Sequence, residues 1–256
     1  MKVIILAGGL PSTLIERDEK KPKPMAEIGG QPILWHIMKY YAAFGHNEFI
    51  ICGGYKVDEI KEYFMNFYYH QCDITVDLET NDVHVHRKQT EDWKVTIVDT
   101  GLNAGVSERI MKVKELVKEE DAFFVTYGDC LSDIDLNQMV ALHNAEKRCA
   151  TLAVARPSGR NAILPITKEG FRKAAKVEDV LEDAWVNSCN MLFSQKTFDY
   201  VEEHSTMEHT LFHMGNDELL STYFHNGFWS PIETVRDRDK AESLWKSGKA
   251  PWKIWE

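Results

Sequence analysis

Disulfide frameworks, zinc sites and membrane spans all lack support in this sequence. Its five cysteines are an odd number, stand far apart and include no C-x-x-C pair, a pattern that favours free thiols in a reducing compartment. No apolar run approaches the roughly 18 residues of a transmembrane helix, and the apolar N-terminal stretch is too short for a signal peptide. We therefore expect a cytoplasmic protein with no membrane partner.

The chain is also short of positive charge. Its 30 lysines and arginines stand against 40 aspartates and glutamates, which gives a formal net charge of −10. Because phosphates would be repelled at long range, this balance disfavours nucleic acid as a partner. Neither a P-loop (G-x-x-x-x-G-K-[ST]) nor a complete G-x-G-x-x-G motif occurs. A phosphate site in this protein must therefore depend on cations gathered in one place.

Strand and helix patterns alternate along the first 155 residues of the chain. Continuous apolar runs rich in β-branched residues are typical of strands buried on both faces. Apolar runs predict strands at 3–7, 48–52, 95–99, 122–127, 150–155 and 187–193. Apolar spacings of three and four predict helices at 32–44, 57–68, 107–118, 135–143, 197–204 and 234–246. This alternation predicts an α/β fold with a mostly parallel, doubly wound sheet.

Two features are added to that sheet. The alternating segments 74–78 and 83–86 predict a β-hairpin, with Asn81-Asp82 between them. The C-terminal end is rich in tryptophan, and so aromatic a segment is expected to pack against the domain or a neighbouring subunit. It contains four of the seven tryptophans, namely Trp229, Trp245, Trp252 and Trp255. With 256 residues and no repeats or low-complexity linker, the chain is predicted to form a single domain.

Glycines and one carboxylate follow two of the predicted buried strands. Gly8-Gly9 ends the first strand, and Gly128-Asp129 follows the strand at 122–127. Ligands of doubly wound sheets bind at the carboxyl ends of the strands, where glycines allow close approach to the backbone. Asp129 is suited to a hard cation such as Mg²⁺. The alternative for so short a motif is that Gly8-Gly9 only turns the chain.

A local concentration of cations lies between the first strand and the first helix, in the segment Lys20-Lys21-Pro22-Lys23-Pro24-Met25. Its alternating prolines hold the backbone extended, so that the lysines project in fixed directions. Lysines act as point charges and suit a polyphosphate. Lysine runs are usually solvated surface, and it is the proline spacing and the position after the first strand that favour a binding role.

These motifs together resemble the sugar-phosphate nucleotidyltransferases, and specifically their cytidylyltransferase branch. The resemblance covers essentially the whole chain and is most specific at its two ends. The segments that carry it are Leu6-Ala7-Gly8-Gly9-Leu10, Lys21-Pro22-Lys23-Pro24-Met25, Glu27-Ile28-Gly29-Gly30, Pro32-Ile33-Leu34-Trp35-His36-Ile37-Met38, Gly54-Tyr55-Lys56, Val98-Asp99-Thr100-Gly101, Tyr127-Gly128-Asp129, Gly227-Phe228-Trp229 and Gly248-Lys249-Ala250-Pro251-Trp252-Lys253.

The resemblance implies a Rossmann-like sheet, a homo-oligomer with subunit contacts at the hairpin, a Mg²⁺ cofactor, and condensation of CTP with a sugar 1-phosphate or similar phosphorylated acceptor. Residues 1–160 would form the nucleotide half and 161–256 the sugar side. Lys23 and Asp129 would be catalytic, and Asp129 and Glu233 would bind the metal. The nucleotide-binding residues would be Leu6, Ala7, Gly8, Gly9, Ser12, Thr13, Lys21, Lys23 and Gly128. Those on the sugar-phosphate side would be Arg109, Asn187 and Trp185, although packing in the core or at an interface is the commoner role of such a tryptophan.

The chain departs from the family pattern mainly where phosphates are handled. Pro11 and Thr13 interrupt the glycine loop, and Thr13 stands where the family has an arginine. Val177-Glu178-Asp179 stands where the family has a sugar-phosphate lysine, Cys130 and Cys189 replace glycines, and Glu233 replaces an aspartate. Two hypotheses follow. One is an active cytidylyltransferase; the other is a catalytically impaired paralogue that binds a nucleotide or nucleotide-sugar, or serves as a structural or regulatory subunit.

Overall fold

The structure, a computed structural model, describes residues 1–9, 21–70, 72–86, 91–157, 166–167, 170–171, 184–202 and 204–255. Its strands are β1 (Val3–Ala7), β2 (Glu27–Ile28), β3 (Gln31–Pro32), β4 (Glu48–Gly53), β5 (Ile74–Asp77), β6 (Asp82–Val85), β7 (Lys94–Asp99), β8 (Ala122–Tyr127), β9 (Cys130–Ser132), β10 (Ala150–Ala155), β11 (Ile166–Thr167), β12 (Gly170–Phe171), β13 (Val186–Ser194), β14 (Leu220–His225) and β15 (Trp229–Pro231). Its α-helices are α1 (Ile33–Ala43), α2 (Val57–His70), α3 (Val106–Lys112), α4 (Lys114–Val117), α5 (Leu136–Glu146), α6 (Met207–Asn216) and α7 (Val235–Lys246).

Seven strands form the central sheet, in the spatial order β14-β10-β13-β8-β1-β4-β7. All neighbouring pairs are parallel except those of β13, which runs antiparallel to β8 and β10. Both faces of β1 are covered, since Val3 and Ile5 belong to one core layer and Ile4 and Leu6 to the other. The predicted α/β class and mostly parallel sheet are confirmed. Within the described residues, no helix is long and apolar enough to cross a membrane.

The order of the strands reverses beside β1. From β1 the chain adds β4 and then β7 on one side, and it next places β8 on the opposite side of β1. At such a reversal, the loops leaving the two adjacent strands diverge and open a crevice at their carboxyl ends, which is where open α/β sheets bind ligands. The topology therefore directs attention to the residues that follow Ala7 and Tyr127.

The C-terminal tryptophans pack into the domain itself. Trp252 is fully buried, stacks on Phe228 with ring centroids 5.5 Å apart, and directs its indole N–H to His36 Nδ1 at 3.4 Å. The other ring nitrogen of His36 lies 2.8 Å from the carbonyl oxygen of Ile28. Burial lowers the pKa of His36 to about 4, so the imidazole is neutral at pH 7 and uses both nitrogens in the core.

Helix α7 holds the turn between β2 and β3. The backbone N–H of Gly29 donates to Glu242 Oε2 at 2.6 Å, and the indole of Trp245 lies so close that a Cβ at Gly29 would be 2.0 Å from its Nε1. Gly29 also has φ +61°, which glycine adopts without strain. The segment just after the lysine–proline run is thus fixed from the C-terminal end of the chain.

Two predicted helices differ in the structure. The single helix expected at 107–118 is divided into α3 and α4 at the fully buried Val113, which has φ −107° and ψ 6°. The helix expected at 197–204 is wrong: a 3₁₀ helix spans Gln195–Asp199. There the hydroxyl of Thr197 donates to the carbonyl of Cys149 at 3.0 Å, which ties the 3₁₀ helix to the residue that precedes β10.

Several elements lacked a clear signal in the sequence. β14 alternates between buried and exposed residues at the edge of the sheet, which gives a shorter apolar pattern than a central strand. α6 and the short ribbon of β9 with β15 were also not assigned bounds. The charged stretch 172–183 lies outside the described residues.

Candidate functional site

A cavity of about 420 Å³ lies at the carboxyl edge of the sheet, at the reversal beside β1. Its walls come from the residues that follow β1, β7 and β8 and from the 3₁₀ helix Lys23–Met25. It is lined by Leu6, Ala7, Gly8, Gly9, Lys23, Pro24, Leu102, Asn103, Ala104, Gly105, Val106, Arg109, Tyr127, Gly128 and Asp129. The cavity thus brings together the two glycine-containing strand ends and one lysine of the lysine–proline run.

Lys23 and Asp129 form an ion pair on the wall of the cavity, with 2.5 Å between Nζ and Oδ2. The two side chains are 20% and 23% exposed. Lys23 begins the 3₁₀ helix, whose first turn is set by the N–H of Met25 donating to the carbonyl of Pro22 at 2.9 Å. Each charge is partly solvated, and within the described part of the chain this is the one ion pair that either side chain makes. A ligand with its own charges can therefore separate the pair at modest cost.

Gly128 joins the loop after β8 to β1. Its N–H donates to the carbonyl of Leu6 at 3.0 Å. A Cβ at this position would lie 2.9 Å from Pro24 Cγ and 3.2 Å from the Leu6 oxygen. Glycine is therefore needed here for the close approach of three chain segments, and it places Asp129 opposite Lys23.

Arg109 of α3 forms the floor of the cavity. It is 5% exposed, and its guanidinium donates five hydrogen bonds of 2.6–3.3 Å. The acceptors are the carbonyls of Gly8, Gly53, Gly101 and Leu102 and the hydroxyl of Thr100. A Cβ at Gly8 would lie 2.0 Å from the guanidinium. The residue predicted for the sugar-phosphate side thus joins the loops after β1, β4 and β7, with its donors already directed at the protein.

The loop from Leu102 to Val106 and the side chain of Tyr127 also line the cavity, and sequence reasoning did not include them. One signal was present: the glycines at 101 and 105 follow a predicted strand in the same way as Gly8-Gly9. Gly101 has φ +93° and its N–H donates to Asp99 Oδ1 at 2.9 Å. The loop is thereby turned back over the carboxyl edge of the sheet.

Three other predicted residues lie outside the cavity lining. Lys21 pairs with Glu27 at 3.2 Å. Trp185 stacks under Arg156, whose guanidinium carbon is 3.7 Å from the ring centroid. Asn187, on β13, accepts the N–H of Cys189 at 2.8 Å. Their predicted contacts with nucleotide or sugar stay predictions. Ser12, Thr13 and the stretch 177–179 lie outside the described residues.

Glu233 is exposed and lies near the backbone of Asp129. The ribbon of β9 with β15 extends by one hydrogen bond, in which the N–H of Ile232 donates to the carbonyl of Asp129 at 2.8 Å. Across the described residues, no group of three or more histidine, cysteine, aspartate or glutamate side chains is arranged to hold a metal ion. Mg²⁺ commonly takes only one or two carboxylates and completes its shell with phosphates and water, so Asp129 and Glu233 are a donor set of the right chemistry.

A second, larger groove of about 990 Å³ lies at the opposite edge of the sheet, around the residues that precede β8 and β10. It includes none of the predicted site residues, and its lining mixes both charge signs, with Lys118, Glu119, Asp121 and Arg148 among its members. Its size alone does not make it the site, because it lies away from the glycine-rich strand ends.

Comparison with known proteins places these features in a family. Residues 2–162 match the nucleotidyl transferase family. The chain is 41% identical to the glucose-1-phosphate cytidylyltransferase of Salmonella typhimurium over the full length of both proteins. It is 35% identical, again over the full length of both, to a probable glucose-1-phosphate cytidylyltransferase of Bacillus subtilis.

Solved structures share the fold at lower identity. UDP-glucose pyrophosphorylase from Acinetobacter baumannii aligns with a TM-score of 0.69 and 15% identity, covering 97% of this chain and 95% of that one. The inositol-1-phosphate CTP transferase from T. maritima aligns with a TM-score of 0.62 and 15% identity, covering 100% of this chain and 97% of that one.

Proposed function

Since this chain belongs to the nucleotidyl transferase family, we propose that it condenses CTP with a sugar 1-phosphate to give a CDP-sugar and pyrophosphate. Glucose 1-phosphate is the proposed sugar phosphate, because it is the substrate named in the full-length relatives. The observation that carries the proposal is the Lys23–Asp129 ion pair on the wall of a glycine-lined cavity.

The reaction requires little covalent work from the protein. A phosphate oxygen of the sugar 1-phosphate attacks the α-phosphorus of CTP; the new P–O bond forms while the bond to pyrophosphate breaks. Catalysis then depends on aligning the two substrates and stabilising the charge that develops on the phosphate oxygens. In the proposed mechanism Lys23 leaves Asp129 and places its ammonium on the reacting phosphates.

The glycines supply the room for this alignment. Gly8 and Gly9 follow β1 without side chains, so the triphosphate can approach the backbone N–H groups. Among the residues that the structure describes, none has an atom within 4 Å of a Cβ position at Gly9. Arg109 acts by holding Gly8 and the loop after β7 in place, since all its described contacts are to protein oxygens.

Asp129 and Glu233 are the residues proposed to hold Mg²⁺, with phosphate oxygens as further ligands. When bound, the ion neutralises charge on the phosphates. Asp129 would hold the ion together with Glu233, and the movement of Lys23 to the substrate releases the carboxylate of Asp129 from its ion pair. Trp185 and Asn187 are proposed to face the sugar, two strands from β1 in the sheet.

A homo-oligomer is proposed on the apolar surface of the hairpin and of α2. Leu78 is 86% exposed and Met65 is 78% exposed, and solvated apolar side chains of this size favour a protein contact. Light scattering of the wild type and of a Leu78→Asp, Met65→Asp double variant tests this proposal. A smaller mass for the folded variant supports it, and a monomeric wild type contradicts it.

The activity is tested by measuring pyrophosphate release from each of the four nucleoside triphosphates with Mg²⁺ and a panel of sugar 1-phosphates. We expect release with CTP and glucose 1-phosphate above all other pairs. Calorimetry with CTP and CDP-glucose accompanies the assay. If both bind tightly and no pyrophosphate is released with any acceptor, while an active relative turns over, the chain is the impaired paralogue and the proposed function is wrong.

A further inference from the structure

Two histidine side chains face each other on the exposed side of α6. We propose that His209 and His213, the histidine pair, form a binding site for a divalent transition-metal ion of the Ni²⁺ and Cu²⁺ class. Neither histidine lines the candidate cavity, and both offer imidazole nitrogens, whereas the ligands proposed for Mg²⁺ are carboxylate oxygens. The histidine pair is therefore separate from the proposed Mg²⁺ site, and its binding of metal does not rest on the proposed function.

Helix α6 places the two rings on one face. His209 and His213 are four residues apart, a spacing at which the side chains of an α-helix are neighbours. Another face of the helix is anchored in the core by Leu211 and Met214, which are buried. The hydroxyl of Thr206 caps the helix by accepting the N–H of His209 at 3.3 Å. The backbone that carries the histidine pair is thus held in place by the protein.

The separation of the two ring nitrogens suits a chelated ion. The Nε2 atoms of His209 and His213 are 3.0 Å apart. Imidazole nitrogens bind divalent ions at about 2.0–2.1 Å, so two nitrogens at this separation subtend an angle of about 90–100° at a shared ion. Adjacent ligands of square-planar and octahedral ions, the geometries typical of Cu²⁺ and Ni²⁺, enclose an angle of this size. A tetrahedral ion such as Zn²⁺ requires a wider angle, which favours the Ni²⁺ and Cu²⁺ class.

Glu202 supplies a carboxylate on the other side of the His209 ring. Its Oε2 is 3.9 Å from His209 Nδ1, the ring nitrogen that does not face His213. Metal-binding histidines commonly have a carboxylate beside their second ring nitrogen, where it favours the tautomer with the proton on that nitrogen and makes the ligand more basic. With its proton on Nδ1, His209 directs the lone pair of Nε2 towards His213. The carboxylate thus supports the use of Nε2 as a metal ligand.

The histidine pair has the ligands for binding an ion but not those for hydrolysis. Thr210 follows His209 where the H-E-x-x-H motif of zinc hydrolases has its glutamate. Among the described residues, no third histidine, cysteine or carboxylate completes a metal site with the pair. The side chain of His209 is 46% exposed, so water can fill the remaining coordination positions. The site therefore binds one ion per chain reversibly.

The first experiment is calorimetric titration of the full-length, untagged protein with NiCl₂ in excess Mg²⁺, which prefers oxygen ligands and does not compete for imidazoles. We expect Ni²⁺ to bind the wild type. His213→Gln removes one arm of the chelate, and because the second ligand of a chelate binds intramolecularly, its loss is expected to lower the affinity about 100-fold. His86→Gln is the matched control, because His86 is also exposed but bonds Thr75 instead of a second histidine, and it is expected to keep the wild-type affinity. Absence of Ni²⁺ binding, or equal affinities for wild type and His213→Gln, overturns the proposal.

A second measurement locates the ion. Crystals of the protein are soaked in NiCl₂ and diffraction is measured at the nickel absorption edge. We expect an anomalous peak about 2.0–2.1 Å from the Nε2 atoms of both His209 and His213. Anomalous peaks at cysteines or carboxylates with none between the two rings would contradict the proposal. Neither readout depends on pyrophosphate release, so a chain without cytidylyltransferase activity leaves this result unaffected.

Discussion

Two cations line the same cavity, and the structure uses them in opposite ways. Arg109 on the floor is 5% exposed and gives five hydrogen bonds to protein oxygens. Lys23 on the wall is 20% exposed and pairs with one carboxylate, that of Asp129. A buried arginine whose hydrogen bonds all go to protein oxygens stabilises the loops around it. A partly exposed lysine that can leave its carboxylate partner is available to a substrate. The comparison indicates a structural role for Arg109 and a catalytic role for Lys23.

The largest expected effect is a loss of stability when Arg109, on the floor of the cavity, is replaced. Replacing Arg109 by methionine leaves the carbonyls of Gly8 and Gly53 and their neighbours without donors in a buried place, and we expect a loss of about 3–5 kcal/mol in the free energy of unfolding. Urea denaturation measures it. Arg148→Met is the control, with an expected loss below about 1 kcal/mol, because Arg148 is only half-buried and donates to the carbonyls of Glu218 and Leu220. Equal losses in the free energy of unfolding would show that Arg109 is no more important for stability than Arg148.

The next largest effect is a loss of turnover when Lys23, on the wall of the cavity, is replaced. Lys23→Met is expected to lower kcat by about 10²–10³-fold, as for the loss of one well-placed transition-state donor, with little change in Tm. Lys39→Met is the matched control, because Lys39 is also 20% exposed and pairs with one carboxylate, that of Glu91, at 3.0 Å, away from the cavity. A Lys23 variant that keeps full activity, or one that loses activity only by unfolding, contradicts the assignment.

A smaller effect is expected at Gly128, whose N–H bonds to the Leu6 carbonyl and which precedes Asp129. Gly128→Ala places a Cβ against Pro24 and the Leu6 carbonyl, and overpacking of this kind costs about 1–3 kcal/mol. The displaced loop carries Asp129, so the affinity for the Mg²⁺–CTP complex falls as well. Thermal unfolding measures the overpacking, and calorimetry with Mg²⁺–CTP measures the loss of affinity. Gly215→Ala is the control for both, because Gly215 lies on α6 outside the cavity lining, and among the described atoms an added methyl there comes no nearer than 4.0 Å, to Leu220 Cδ2. Unchanged Tm in both variants would show that the close approach at Gly128 is not needed.

The smallest effect is a pH dependence of the free energy of unfolding, caused by His36, whose ring nitrogen lies 2.8 Å from the carbonyl oxygen of Ile28. The pKa of His36 is about 4 in the folded protein, because of burial, against 6.5 for an exposed histidine. As pH falls below 6.5 the unfolded chain gains a proton and the folded one does not, so stability decreases until about pH 4 and then levels. By pH 5.5 the loss is about 1 kcal/mol. A His36→Gln variant is expected to reduce this slope in pH-dependent urea denaturation and to leave the part due to His46, whose pKa burial also lowers to about 4. An unchanged slope would contradict the contribution of His36.

The sequence carried enough information for the sheet and for half of the site. Continuous apolar strands such as β8 and β10 were predicted with their observed bounds, because burial on both faces leaves an unambiguous pattern. The glycines after β1 and β8, with Lys23 and Asp129, were also found, since loops after parallel strands meet at one edge.

The rest depended on three-dimensional contacts that leave no local pattern. A helix pattern does not show that Arg109 turns inward onto backbone carbonyls, which are the same in every residue. The break of the helix at Val113 and the 3₁₀ helix after Ser194 occur where the chain packs against distant segments, with Val113 buried and Thr197 bonded to Cys149.

The most direct test is a crystal structure of the protein with CTP and Mg²⁺. The account predicts that Lys23 Nζ leaves Asp129 for the triphosphate, that Asp129 turns to the metal, and that Arg109 keeps its hydrogen bonds to Gly8, Gly53 and Gly101. A triphosphate bound by Arg109, with the Lys23–Asp129 pair intact, would contradict it.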